Sequence, residues 1–322
     1  MPVLAPAAAR EVLKELRTAR RRVYLRQLDW VDALYKAYLT AVAAGIATLL
    51  LSGALGDTRA GAGSVHTIGA RGPALLGVVL ALIVAGALRS GARGGPLALQ
   101  PPDVHQILLA PIDRGVALRG PAVAQLRSRV FVAAVAGAVV GNLAFRRLPG
   151  KPGAWVGCGV VFGVAAAALS MGGALIASGR RLAPWLSAVI GLALIGWSVA
   201  DWLLHVTTSP ATMLGRLAVA PLEQSAAVSI AVGVVVALAV LAAGLAGVGG
   251  TSLEASLRRA GLVAQLRFAV TVQDLRTVIL LRRQLAAELP RSRPWVRLAL
   301  ASGGSPLKAI WRRGWRSYLR WP

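Results

Sequence analysis

Apolar runs recur along the chain at about 36–55, 71–88, 130–146, 154–177, 182–204 and 226–248, with polar and strongly basic stretches between them. A helix crosses the hydrocarbon core with about 20 apolar residues at 1.5 Å each. The fourth, fifth and sixth runs meet that length. The second and third are short, so they are expected to tilt little, or one of them to be re-entrant. The pattern predicts an all-α, polytopic transmembrane helical bundle of about six spans. Basic amphipathic cytoplasmic helices flank it. Residues 1–30 form one of these: apolar positions 12, 13, 16, 23 and 28 alternate with Arg10, Lys14, Arg17, Arg20, Arg21, Arg22 and Arg26. Such a helix lies in the headgroup region and favours anionic lipid, or packs on a partner as a soluble helix. Trp30, Tyr35 and Tyr38 mark the membrane boundary.

The segment 89–129, between the second and third runs, is too polar and basic for lipid. Pro101-Pro102-Asp103 is a helix start, with the acid near the positive end of the helix dipole. A short apolar face follows at Val104, Ile107 and Leu108. Pro111-Ile112-Asp113-Arg114 breaks it, and a second amphipathic piece runs through Leu118, Val123 and Leu126 into the third span. Two short helices joined to membrane helices at both ends form a coupling element that carries a push from a soluble partner into the bilayer. The plainer alternative is a cytoplasmic loop resting on headgroups.

Basic residues orient the bundle. With both termini cytoplasmic, 30 of the 36 Lys and Arg residues fall in cytoplasmic segments. The six outside are Arg59, Arg71, Arg146, Arg147, Lys151 and Arg216. Three of these adjoin one another around Leu148-Pro149-Gly150, so this loop is where the topology fails if the third span does not cross.

Three regions result: the basic helix 1–30, the six-span domain 31–250 with its cytoplasmic loop, and a basic helical tail 251–322. Thr251 or Ser252 caps a long helix, Glu254 lies in its first turn and Pro290 ends it. At 308–321, Trp311, Trp315, Leu319 and Trp321 alternate with Lys308, Arg312, Arg313, Arg316 and Arg320. Beside a membrane this reads as a headgroup anchor rather than a nucleic-acid surface.

Small residues four apart allow close helix approach. Gly137-x-x-x-Gly141 in the third span, with Gly153-x-x-x-Gly157 and Gly159-x-x-x-Gly163 in the fourth, predict that these spans pack as a hairpin. The alternative is that these glycines reflect composition alone. At 205–225, Ser209-Pro210 starts a short helix whose apolar face is Met213, Leu214, Leu217 and Val219. It is expected to lie on the outer surface or dip into it.

Composition narrows the chemistry. The 322 residues are 56% hydrophobic and 15% charged, with net charge +24 and mean hydropathy +0.65. Lysine occurs only at 14, 36, 151 and 308; the dominance of Arg, Ala, Gly and Val points to a high-GC bacterial genome. Cys158 is the single cysteine, so intrachain disulfides and cysteine metal clusters are excluded. Residues 1–30 lack the apolar core and cleavage site of a signal peptide. No P-loop occurs: Gly150-Lys151 is followed by Pro152. There is no H-E-x-x-H and no G-x-S-x-G, and the three histidines are scattered. No catalytic residue, metal site or cofactor is expected. Asp201, a turn inside the fifth span, and His205, four residues on, share a helix face. Intramembrane acids are costly and are functional candidates by default, as a proton relay or substrate contact. The other reading has Asp201 reaching the interface beside Trp202.

The order of elements (basic interfacial helix, two spans, a coupling loop, four more spans) resembles an ABC-2-type exporter permease. Three stretches resemble an exporter-permease-like family of high-GC bacteria: Pro102-Asp103 through Arg114; Thr208-Ser209-Pro210-Ala211-Thr212 with Leu214-Gly215-Arg216-Leu217; and Leu262 through Phe268, Gln273-Asp274-Leu275-Arg276 and Leu281 through Leu285. The resemblance implies a permease subunit in the bacterial plasma membrane, energised by a separate cytoplasmic ABC ATPase. That partner would dock on 101–129 at Asp103, Val104, Ile107, Leu108 and Arg114. It also implies a homo- or hetero-dimer with another permease half, anionic lipid as a further partner, and no nucleic acid. Such permeases end soon after the sixth span, whereas about seventy residues follow here. Relatives continue into a second set of spans, so the chain is expected to be a front half. The competing expectation is a non-transporting membrane scaffold that binds anionic lipid or an acidic partner.

Overall fold

The structure, a computed structural model, describes residues 30–55, 59–93, 95–97, 113–180, 182–222 and 227–251, with isolated positions elsewhere. Residues 1–99 and 103–256 make one compact unit; residues 100–102 and 257–322 make a second. In the second, helical Trp311 and Trp315 meet edge to face at 5.7 Å and are exposed.

The first unit is helical in every described element: α1 (Trp30–Leu55), α2 (Ala62–Ala92), α3 (Arg114–Arg147), α4 (Pro152–Gly179), α5 (Pro184–Leu204), α6 (Pro210–Val219) and α7 (Ala227–Ala246). Short 3₁₀ turns follow α6 and α7, at Ala220–Leu222 and Gly247–Gly250. Five helices are long and apolar enough to cross a membrane: α2, α3, α4, α5, and α7 with its 3₁₀ extension. In α1 the apolar part is shorter, Tyr38–Gly53. The chain is thus a multi-pass helical membrane protein.

Span lengths differ from the sequence expectation. The second and third spans are not short. They lie within helices of 31 and 34 residues. The longer is about 51 Å at 1.5 Å per residue, well beyond the ~30 Å hydrocarbon core. The apolar runs underestimated them because each helix continues into semi-polar sequence, 62–70 in α2 and 114–129 in α3. Pro73 and Pro121 lie within these helices without ending them.

The helix that holds the third span runs from one end of the bundle to the other. At one end of the bundle, the Ala60 amide donates to the Arg147 carbonyl at 3.0 Å, and Gly150 approaches Pro221. At the other, Gly115 meets Gly249, and Gly179 meets Gly247 and Gly250. Each end of α3 therefore sits with a different set of chain ends, as alternating traversals demand.

Packing is backbone on backbone. A Cβ on Gly137 would strike the Gly159 carbonyl, and one on Gly159 would strike that of Gly137; Gly141 meets the Trp155 carbonyl and Gly163 that of Ala133. The expected α3–α4 hairpin forms through these four glycines. Gly153 and Gly157 take no part, because a Cβ on either meets nothing within 4 Å. The turn is locked by the Trp155 Nε1–H donating to the Pro149 carbonyl at 3.1 Å, with Gly150 at φ 131. The φ there favours glycine.

The core centres on α4. Its Ala165, Leu169 and Ala177 pack with Leu80, Ala81, Val84 and Leu88 of α2, Ala211 and Leu214 of α6, and Ala237 of α7. On α7 a Cβ at Gly172 of α4 would fall 2.7 Å from the Leu241 Cα. α5 closes on α2 through Gly191 and Ala85, and α1 lies chiefly along α3.

The glycine contacts make a paired prediction. Gly137→Ala drives a methyl into the Gly159 backbone and should destabilise the purified chain by about 1–3 kcal/mol in SDS-titrated unfolding. Gly157→Ala, with open space and better helix propensity, should be neutral or slightly stabilising. Equal effects would contradict this packing.

Candidate functional site

The described polar groups concentrate where α5 hands over to α6. Helix α5 ends at Leu204, and His205 takes a left-handed conformation at φ 56. Two amides, of His205 and Val206, donate to the Asp201 carbonyl. These satisfy a carbonyl that the end of the helix would otherwise orphan.

The Asp201 side chain organises the next helix. It is 1% exposed. Its Oδ1 accepts from Thr208 Oγ1 at 2.6 Å. Its Oδ2 accepts from the Thr208 amide at 3.0 Å, the Ser209 amide at 2.7 Å and Thr212 Oγ1 at 2.6 Å. Ser209 caps α6 as its sequence predicts: Oγ accepts from the Thr212 amide at 3.1 Å, and Pro210 occupies the first turn. Ser198 Oγ lies 3.2 Å from Ser209 Oγ, and Trp197 Nε1–H donates to Thr208 Oγ1 at 2.8 Å. Because Thr208 Oγ1 accepts that bond, its own hydrogen is directed at Asp201.

Six side chains thus form one closed network in which both carboxylate oxygens act as acceptors. A buried carboxylate is tolerated only with such compensation. Asp201 does not reach the interface beside Trp202, which corrects the plainer sequence reading. His205 does not join it either: it is exposed and serves as the turn residue. Shared spacing of i and i+4 held only to Leu204, where the helix ends. Thr208, Thr212, Trp197 and Ser198 were missed by sequence reasoning. The available signal was an Asp followed seven residues later by Thr-Ser-Pro-x-Thr, a helix start rich in hydroxyls.

The short helix α6 is not a surface element. Ala211, Thr212, Leu214, Gly215, Leu217 and Val219 are buried. Gly215 meets the Pro73 carbonyl of α2, a Cβ on Gly77 would fall 2.7 Å from the Thr212 Cα, and Gly233 of α7 backs Leu214. Glycines on α2 and α7 open the groove that α6 fills, so of the two expectations the helix that dips in is the one observed. Arg216 Nη1 reaches Ser229 Oγ of α7 at 3.3 Å.

The proposed docking residues divide. Asp103, Val104, Ile107 and Leu108 lie outside the described residues. Arg114 is exposed and opens α3. The break before it is a capped helix start: Asp113 Oδ1 accepts from the Val116 amide at 3.0 Å. Ala117, Leu118 and Ala122 in the first turns are buried. Gly115 lies against Gly249, whose Cβ would fall 2.9 Å from the Gly115 Cα. Nearby, Gly91 meets the Ala174 carbonyl and Gly95, at φ 87, approaches Ser178. The ends of α2, α4 and α7 and the start of α3 therefore converge on small residues. No group of three or more metal-ligating side chains occurs among the described residues.

The chain matches no protein-family model, no curated protein and no solved structure.

Two substitutions separate a structural clamp from a free polar group. Asp201→Asn presents an amide to donors that need acceptors, and should cost about 2–4 kcal/mol in the same unfolding assay. His205→Gly relieves a left-handed non-glycine residue and should stabilise by up to ~1 kcal/mol. A neutral Asp201→Asn would mean that the network does not hold α6.

Proposed function

We propose that this chain is a permease subunit of an ATP-driven, ABC-type exporter in a bacterial plasma membrane. A separate cytoplasmic ATPase would dock on 101–129 and energise it. The observation that supports this most is the build of α3. It is one continuous helix from the Asp113 cap to Arg147, so the segment that adjoins the docking loop and the segment that crosses lipid are a single rod. A displacement at Arg114 has to move the span. Through Gly115 and Gly249 it also bears on the end of α7, and through Gly179 on α4.

In this reading the ATPase supplies work by binding the inward- and outward-facing states unequally, because a partner with equal affinity for both shifts neither. The orientation with both termini cytoplasmic follows from placing 30 of 36 basic residues inside. The Asp201 network then lies toward the outer end and holds α6 in the bundle. It is read as a support rather than a proton relay, since its oxygens are engaged from within. The permease itself contributes no hydrolysis. A dimer with a second permease half would complete the pathway.

Expression of the tagged chain with its neighbouring genes tests this. A P-loop ATPase should co-purify stoichiometrically and be lost with Ile107→Asp/Leu108→Asp. Gly249→Val should keep the ATPase bound but reduce transport-coupled ATP hydrolysis in proteoliposomes by about tenfold or more, because it wedges the Gly115 contact. Absence of any ATPase from well-folded samples of both would sink the exporter reading and favour a membrane scaffold.

A further inference from the structure

At the Arg147 end of the bundle, away from the docking loop, lies an open cavity of about 630 Å³. Helix α2 provides one wall through His66, Gly69 and Ala70, the α3–α4 turn another through Pro149 and Gly150, and the 3₁₀ turn after α6 a third through Leu222.

The walls are fixed. Trp155, 2% exposed, holds the Pro149 carbonyl, and Gly150 has no side chain to displace that ring. The Ala60–Arg147 hydrogen bond ties the start of α2 to the same turn. Pro73, buried in α2, has no N–H for the Gly69 carbonyl one turn earlier, so this wall carries a main-chain acceptor deprived of its i+4 donor.

The sequence next to the lining residues is cationic. Arg146 and Lys151 are exposed on either side of the Leu148–Gly150 turn, Arg71 is exposed beside Ala70, and Arg59 beside Ala60. Among the described residues at this end the one carboxylate is Asp201, whose oxygens are held by Thr208, Ser209 and Thr212. Asp57 and Glu223 lie outside the described residues. Even with both counted, the segments 56–71, 146–151 and 205–226 carry six Lys and Arg residues. Basic residues at the ends of membrane helices attract anionic headgroups. A largely apolar hollow at an end of the bundle so rich in cations suits an amphiphile with an anionic head.

We propose that this cavity binds the headgroup of an anionic phospholipid, with its phosphate on the Arg146–Lys151 side. The site is independent of the exporter reading. It also accounts for three clustered cations at the end where the charge rule places few. The Gly69 carbonyl offers an acceptor to headgroup hydroxyls, which favours phosphatidylglycerol over phosphatidylcholine.

The test is lipid retention by the full-length protein in native mass spectrometry, with phosphatidylglycerol or phosphatidylcholine added in detergent. Wild type should retain one phosphatidylglycerol in preference to phosphatidylcholine. Arg146→Gln/Lys151→Gln should weaken retention by roughly 30-fold, at about one headgroup attraction per cation. Ala70→Phe, which fills the cavity from an exposed helix position, should weaken it similarly while leaving the lipid-free melting temperature unchanged. Arg89→Gln/Arg180→Gln at the opposite end should retain the lipid as wild type does. Equal retention of the two lipids by wild type overturns the proposal. So does undiminished binding in both cavity variants, or an equal loss in the opposite-end pair. Displacement of phosphatidylglycerol by inorganic phosphate at millimolar concentration would assign the cavity to a free anion and overturn the lipid.

Discussion

Close approach of helix backbones at glycine is the constraint on which this bundle depends. Inside a bilayer, apolar side chains gain nothing by leaving lipid for one another, so association rests on contact and on satisfied polar groups. Gly137, Gly141, Gly159 and Gly163 bring α3 and α4 together; Gly172 and Gly244 do the same for α4 and α7, and Gly77 and Gly215 for α2 and α6. Each of these positions faces a neighbour's carbonyl or Cα at a distance that no Cβ tolerates. The core is accordingly built from alanine and glycine with a few leucines, and α4, rich in both, stands at its centre.

Glycine contacts hold long helices but leave helix ends unpaired. The chain answers that at α5 and α6 with one carboxylate. Asp201 accepts from the amides and hydroxyls that start α6, while its own carbonyl takes the amides that follow α5. A single residue thereby closes one helix and opens another inside the bundle. Non-helical backbone at membrane depth is tolerated only where protein supplies the missing partners. That requirement explains why Thr208, Ser209 and Thr212 cluster around Asp201.

Much of the architecture was legible in the sequence, because hydropathy and small-residue spacing are governed by the membrane itself. The hairpin glycines and the Ser209 cap follow from local rules. The start of α2 was not legible, because 62–70 is too polar to register as membrane sequence, whereas the run of 114–129 into the third span was visible as an amphipathic piece. Of the two GxxxG motifs in α4, only the one facing α3 is used, and facing depends on neighbours that spacing does not name. The same holds for Asp201. Its distance to His205 suggested a pair, but the left-handed turn at His205 sends the chain back, and the partners come from residues seven to eleven positions on. The apolar pattern at 103–108 lies outside the described residues.

The sparse packing of α1 bears on how the protein is made. Tyr38, Leu39, Val42, Ile46, Leu49 and Leu50 are exposed to the surroundings of the bundle, and α3 supplies most of what α1 touches. Leu55 leaves the ribosome some 90 residues before Arg147 completes α3. At about 5–20 residues per second that interval is roughly 5–20 s. For this interval α1 lacks the helix that supplies most of its contacts, so its exposed apolar face is without that protein partner.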